Sequence, residues 1–256
     1  MLSVSTQIAR GDDLALFTQM LSSVAFADEL VVFNMERKDR AALTLIKKYR
    51  ARVIEVKTPK VVEEIRARQV REAKGDWVLI MDYDEVVTPA LQQEIISRIS
   101  HLSSSISAYY LPRRNFSLGY PLHHGGFGDD YVARLFRRNK FVDWSRDIHS
   151  LPKISGDFCT LTHFLEHHKD ASLEQMVEKT NRYSDVEAQE FLVGGLPLVT
   201  PLTLARKKFM ETFRRGILKA GFLDGRVGLI QSLYQGYSVF ISYAKLYEKQ
   251  LNAKKV

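Results

Sequence analysis

Over the first hundred residues, short apolar runs alternate with longer stretches whose apolar residues recur every three or four positions. Residues 2–8 form a first run, with weak alternation. Gly11-Asp12-Asp13 opens an amphipathic stretch to about Val24, with Leu14, Phe17, Leu21 and Val24 on one face, which predicts a helix. Residues 29–33 make a clearer strand, ending in the polar turn Asn34-Met35-Glu36-Arg37-Lys38-Asp39 before a helix over 40–50. Arg52–Val56 predicts a third strand and 61–73 an arginine-rich helix. Gly75-Asp76 breaks that helix, and the run 78–81 is the central strand. Strands alternating with helices at spacings of roughly 20–25 residues indicate a parallel sheet with crossover helices. The strands are rich in Val, Ile and Leu, as strands covered on both faces should be.

Beyond Pro89 the rhythm changes. A helix is expected over 91–99, a polar loop over 101–107 and a strand over 108–112. Two segments rich in glycine, aromatics and charge follow. One runs from Asn115 to Asp130 through His123-His124-Gly125-Gly126. The other joins Ala133-Arg134-Leu135-Phe136-Arg137-Arg138 to Phe141-Val142-Asp143-Trp144 and Asp147-Ile148-His149. Loops of this composition are common places for sugar binding and catalysis. Residues 172–192 predict a long helix, and Pro197 and Pro201 lead into a final helical region.

The length of 256 residues suits one large α/β domain, or one domain with a helical appendage. A single cysteine, Cys159, excludes an intrachain disulfide framework and suits a reducing compartment. The start has no basic or long apolar leader, so no secretory signal is expected. The net charge is +7, but residues 201–256 hold 11 Lys/Arg against 3 Asp/Glu, which leaves the first 200 residues near neutral. The basic excess belongs to the tail. With the charge so confined and no nucleic-acid-binding motif in the chain, the pI of 9.4 does not indicate a nucleic-acid partner.

Candidate chemistry centres on residues 77–85, Trp-Val-Leu-Ile-Met-Asp-Tyr-Asp-Glu. Side chains two apart on a strand share a face, so an extension past Met81 would set Asp82 and Asp84 side by side. Two adjacent carboxylates repel, and a hard cation such as Mg²⁺ or Mn²⁺ relieves them. Ligands of open α/β sheets sit beyond the carboxyl ends of the strands. The bland alternative is a polar loop, with Asp84 or Glu85 capping the helix near Pro89.

Several stretches carry a family likeness in order along the chain. They are Ala27-Asp28-Glu29-Leu30-Val31-Val32, Ala73-Lys74-Gly75-Asp76-Trp77-Val78-Leu79, Asp82-Tyr83-Asp84-Glu85-Val86-Val87-Thr88-Pro89 and Arg134-Leu135-Phe136-Arg137-Arg138. Lys179-Thr180-Asn181-Arg182-Tyr183-Ser184, the stretch from Gly221 to Leu229, and Tyr243-Ala244-Lys245-Leu246 complete the set. The chain resembles glycosyltransferase family 2, the inverting GT-A type, and within it the lipopolysaccharide-core β-glucosyltransferases of the WaaE/KdtX kind. The resemblance implies an α/β GT-A fold: a central, mostly parallel twisted sheet flanked by helices, with a C-terminal helical extension. It divides the chain into a transferase domain over 1–195 and a basic helical extension over 196–256. Within the domain, residues 1–100 would hold the nucleotide sugar and 101–170 the acceptor.

The resemblance also implies roles. Asp84 would hold a divalent cation, with Asp82 assisting or binding the ribose. Asn34 and Asp39 stand where family members bind base and ribose, although Asn34 replaces an acid and Asp39 could simply cap a helix. Arg66 would contact a phosphate, or else lie on a solvated helix face; Ala67 stands where an asparagine is usual. Asp130, or its neighbour Asp129, would be the general base. His149 could be a third metal ligand, although Ser150 replaces the usual acid after it. His123-His124 could line the acceptor pocket, and His167 is expected to be an architectural hydrogen-bonding residue.

The implied partners are a nucleotide-sugar donor, such as a UDP-sugar, and a glycan or lipid-linked acceptor of envelope polysaccharide. The run 227–244 is uncharged but too polar to span a membrane. With Tyr234, Tyr237, Phe240 and Tyr243 at helical spacing and cations before them, it suits either a helix on an anionic leaflet or a cap on the core. A cytoplasmic enzyme, peripheral on the inner face of the cell membrane, is the resulting expectation. The departures at Asn34, Ala67 and Ser150 keep open a non-catalytic nucleotide-sugar-binding scaffold, and a peptide-glycosylating relative is a further alternative.

Overall fold

The structure is a computed structural model and describes residues 1–100, 105–146 and 150–253. The chain forms two compact units, residues 1–114 with 130–168, and residues 115–129 with 169–256. The expected boundary at 195/196 falls inside the second unit.

The first unit opens with β1 (Leu2–Ala9), α1 (Leu14–Ser23), β2 (Glu29–Met35), α2 (Arg40–Lys48), β3 (Arg52–Val56), α3 (Glu63–Glu72) and β4 (Trp77–Ile80), in the predicted order. It continues with β5 (Glu85–Val87), α4 (Pro89–Ser100), β6 (Ile106–Ser117) and, after β7 (Tyr120–Pro121) of the second unit, β8 (Asp130–Arg137). Strands β9 (Phe141–Trp144), β10 (Pro152–Ile154), β11 (Asp157–Thr160) and β12 (Leu165–Asp170) follow.

The main sheet runs β3-β2-β1-β4-β8-β6-β12-β5. Its first four strands are parallel, as the β-α repeat requires, while β8 is antiparallel to both β4 and β6. The sheet is therefore mixed, with a parallel N-terminal half. Strand β4 shows why its sequence is apolar throughout. Leu79 and Met81 pack with Phe17, Leu21, Leu91 and Ile95 on one face, and Val78 and Ile80 with Val70, Phe136 and Trp144 on the other. Strand β1 explains its own weak alternation. Leu2, Val4 and Ile8 enter the core, while Ser3, Ser5 and Gln7 are equally buried on the opposite, polar face. Gly75 fits only as glycine, since a Cβ there would stand 2.7 Å from the Ser3 backbone nitrogen.

Helix starts follow local chemistry. Asp13 accepts from the backbone of Ala15 and Leu16 at the start of α1, and Asp39 from that of Ala42 at α2. The expected 108–112 strand is longer, and β8 was not anticipated as a strand because Arg134 and Arg137 interrupt its apolar residues.

The second unit contains β7 and three helices, α5 (Leu173–Val193), α6 (Pro201–Phe213) and α7 (Gly225–Ala253). Ser172 caps α5, and Thr200 followed by Pro201 starts α6. A π-helical stretch, Arg214–Leu218, and a 3-10 turn, Gly221–Asp224, join α6 to α7. A Cβ on Gly236 would stand 2.0 Å from Thr212 Oγ1, so glycine permits the close approach of α6 and α7. Two aromatic residues of α7 engage α5: Tyr234 shares a hydrogen bond with Thr180 at 2.7 Å, and Tyr243 packs on Phe191. Gln231, Ser232, Ser242 and Gln250 are buried along the same helix. Among the described residues, no helix is long and apolar enough to cross a membrane.

Candidate active site

The acidic turn sits where β4 ends. Met81 still donates to Ser5, but the chain then folds back, with the Glu85 amide donating to the Asp82 carbonyl at 3.2 Å and the Asp82 amide to Glu85 Oε2 at 2.8 Å. The extended geometry that would align Asp82 with Asp84 therefore stops at Met81, and the two acids engage different neighbours.

Asp82 is clamped. Its Oδ1 accepts from Gln7 at 2.6 Å and from Arg66, and its Oδ2 accepts from Arg134 Nη2 at 2.7 Å. Burial by itself would raise the Asp82 pKa, but the guanidinium charges of Arg66 and Arg134 hold it well below the usual carboxylate range. Glu85, fully buried, accepts from Arg113 Nη1 at 3.2 Å and lies 3.8 Å from Arg134. Arg113 in turn donates from Nε to Asp130 Oδ2 at 2.8 Å, because the two residues are paired across β6 and β8. Arg66, Asp82, Arg134, Glu85, Arg113 and Asp130 thus form one ladder of alternating charge, three cations against three anions. Along it, Arg134 Nη1 is buried and has no hydrogen-bond partner among the described residues.

Asp84 lies beside β12. It is 5 % exposed, its carbonyl accepts from the His168 amide at 2.8 Å, and His167 Nε2 lies 3.8 Å from its Oδ1. Tyr83 between the two acids is held neutral to high pH, first by burial and then by the charges of Asp84, Asp12, Asp13 and Asp82.

Other expected site residues carry structural duties. Asn34 donates to the Arg37 carbonyl and to Glu55, and accepts from the Arg37 amide, so its amide knits the turn after β2. Asp39 caps α2 and receives Arg37 Nε at 2.5 Å. Arg66 is 2 % exposed and donates to Gln7, Gln69 and Asp82, so it does not lie on a solvated face. A guanidinium in that position has to be paired, and the clamp on Asp82 pairs it. Asp129 is exposed in the second unit, and His149 lies outside the described residues. In the second unit, His124 Nδ1 meets Asp224 Oδ1 at 2.8 Å, and the same carboxylate accepts from the His123 and His124 amides.

Among the described residues, no three His, Cys, Asp or Glu side chains are grouped to hold a metal. Mg²⁺ and Mn²⁺ at diphosphate sites commonly take only one or two protein ligands, the rest being phosphate oxygens and water. Asp84, with His167 Nε2 3.8 Å from its Oδ1, could supply that smaller donor set; His149, the expected third ligand, lies outside the described residues. The sequence signal was present in Leu165-Glu166-His167-His168, but only the pairing of β12 with β5 brings it to the acidic turn.

No protein-family model matches the chain. It is 26 % identical to an uncharacterized glycosyltransferase of Rickettsia conorii over 71 % of this chain and 68 % of the relative. It is 25 % identical to one of Rickettsia typhi over 100 % of this chain and 90 % of the relative. Among solved structures it is similar to a mannosyltransferase from Pyrobaculum calidifontis, in complex with GDP-Man and Mn²⁺. That likeness has a TM-score of 0.54 at 12 % identity and covers 97 % of this chain and 87 % of the other. The fold is of the GT-A type, and the chain is an enzyme of the glycosyltransferase class.

Proposed function

We propose that the chain is an inverting glycosyltransferase, moving a sugar from a nucleotide-diphosphate donor, in the first place a UDP-sugar, to a glycan or lipid-linked acceptor of the cell envelope. The observation that carries this reading is the charge ladder, which ties the acidic turn after β4 to Asp130, the candidate base, within one unit.

In a single displacement the acceptor hydroxyl oxygen bonds to the anomeric carbon as the bond from that carbon to the diphosphate oxygen breaks. An acceptor hydroxyl is too weak an acid to lose its proton unaided, and Asp130 Oδ takes it as the new bond forms. Asp84 and His167 would hold a divalent cation, which supplies charge stabilisation to the departing diphosphate. Arg134 Nη1, buried and unpartnered among the described residues, offers one further donor to a diphosphate oxygen. Asp82 keeps Arg66 and Arg134 in place. A lipid-linked acceptor of the lipopolysaccharide-core kind would bring the enzyme to the inner face of the cell membrane as a peripheral protein.

A second reading, a nucleotide-sugar-binding protein without turnover, is favoured by Asn34 and Asp39, both engaged within their own turn. A donor screen separates the two. The full chain is incubated with UDP-, GDP- and other nucleotide sugars and Mn²⁺, following melting temperature and slow hydrolysis or transfer. Stabilisation with turnover supports the transferase; stabilisation without turnover, across acceptor extracts, favours the second reading.

A further inference from the structure

The elbow between α6 and α7 leaves apolar side chains in solvent. Leu218 is 68 % exposed, Leu223 59 % and Phe222 53 %, with Ile217, Phe209 and Phe213 also on the surface. Phe209 and Phe213 stack one turn apart on α6, their ring centroids separated by 6.1 Å, and so extend the patch along the helix. So many large apolar side chains exposed within one short stretch are uncommon on a protein that meets only water. Residues 201–226 also carry seven Lys/Arg against two acids, and Lys208, Lys219 and Arg226 are exposed among the apolar residues. Two residues of the aromatic stripe on α7 engage α5, Tyr234 through Thr180 and Tyr243 through Phe191, so the elbow offers the more exposed apolar side chains.

We propose that this elbow is the element that seats the protein on an anionic lipid leaflet, with Leu218, Phe222 and Leu223 entering the headgroup layer and Lys219 and Arg226 meeting lipid phosphates. Charge decides the occupant. A two-fold pairing of copies through the patch would set one positive surface against another, whereas an anionic leaflet complements it. The short, bent link also limits insertion to the interface, since the following helix buries glutamine and serine. The proposal extends the proposed function and rests on it only for naming the surface as a cell membrane.

The test is flotation of the full chain with vesicles of phosphatidylcholine alone, or with about a third phosphatidylglycerol. Wild type should float with the anionic vesicles and not with the neutral ones. The variant Leu218→Ser/Phe222→Ser/Leu223→Ser should float roughly tenfold less, and Lys219→Glu/Arg226→Glu several-fold less, with unchanged circular dichroism. Asp84→Ala should float like wild type even where it no longer binds donor, so failure of the transferase reading stays separate from failure of this one. Absence of wild-type flotation, equal flotation of the triple variant, or a solution dimer that the triple variant dissolves without any vesicle binding overturns the proposal.

Discussion

Arg113 donates through Nε to Oδ2 of Asp130 at 2.8 Å while its Nη1 reaches the fully buried Glu85 at 3.2 Å. One guanidinium thus fixes the candidate base and anchors it to the turn that carries Asp84. Burial alone would lower the Arg113 pKa, but the Glu85 and Asp130 charges raise it, so the clamp remains charged across the working range. Asp130→Asn should lower kcat by roughly 10²–10⁴ with donor affinity unchanged. Asp129→Asn should change kcat little. Steady-state kinetics with direct donor titration reads both.

Arg113→Lys preserves the charge but not the two-pronged geometry. The expected result is a fall in kcat of about tenfold, with the donor KM held, because Asp130 is left in place but unoriented. A matching rise in donor KM would instead assign Arg113 to donor binding.

Arg66 carries the opposite end of the ladder. Removing one partner of a buried pair leaves an uncompensated charge, so Arg66→Ala should cost about 3–5 kcal/mol of stability. Urea unfolding reads this as a lower midpoint at unchanged slope. A loss under about 1 kcal/mol would show that Asp82 does not depend on Arg66.

Glu94 on α4 gives the fold an acid dependence. Burial by itself would raise its pKa, but hydrogen bonds from the His163 and Thr162 amides and side chains bring it from 4.5 to about 2. A carboxyl depressed on folding stabilises the native state fully above its unfolded value, and that stability is lost as pH falls through the folded value. Between about pH 4.5 and 2 the protein should therefore lose on the order of 1–2 kcal/mol through this group, after solvent screening. Glu94→Gln should remove that part of the slope in melting temperature against pH.

The N-terminal half of the fold was legible because its signal is local. Each β-α unit has its own apolar period, so β1 to β4 and α1 to α3 came out in order, and β4 is apolar on both faces because both are covered. Strands β8 and β12 were not legible as strands, since arginines and histidines interrupt their apolar residues and their partners are remote in sequence. The candidate site divides along the same line. Asp82, Asp84 and Asp130 could be picked from the sequence, but the alignment of Asp82 with Asp84 was inferred from a strand that ends at Ile80. Arg113 gave no signal, and Arg134 only as part of the Arg-Leu-Phe-Arg-Arg stretch, because nothing local marks an arginine as the partner of an acid across the sheet. His167 was read as architectural, and only the β12–β5 register brings it beside Asp84.

In the proposed site Asp84, with His167, holds the cation that meets the donor diphosphate, while Asp82 is retained by Arg66 and Arg134. Calorimetric titration of UDP into the full chain, with and without Mn²⁺, tests it most directly when run on wild type, Asp84→Asn and His167→Ala. Mn²⁺ should tighten UDP binding by about tenfold or more in wild type, through bonds between metal and phosphate oxygens. This metal dependence should disappear in Asp84→Asn and weaken in His167→Ala. An equal Mn²⁺-dependent gain in all three proteins would contradict it.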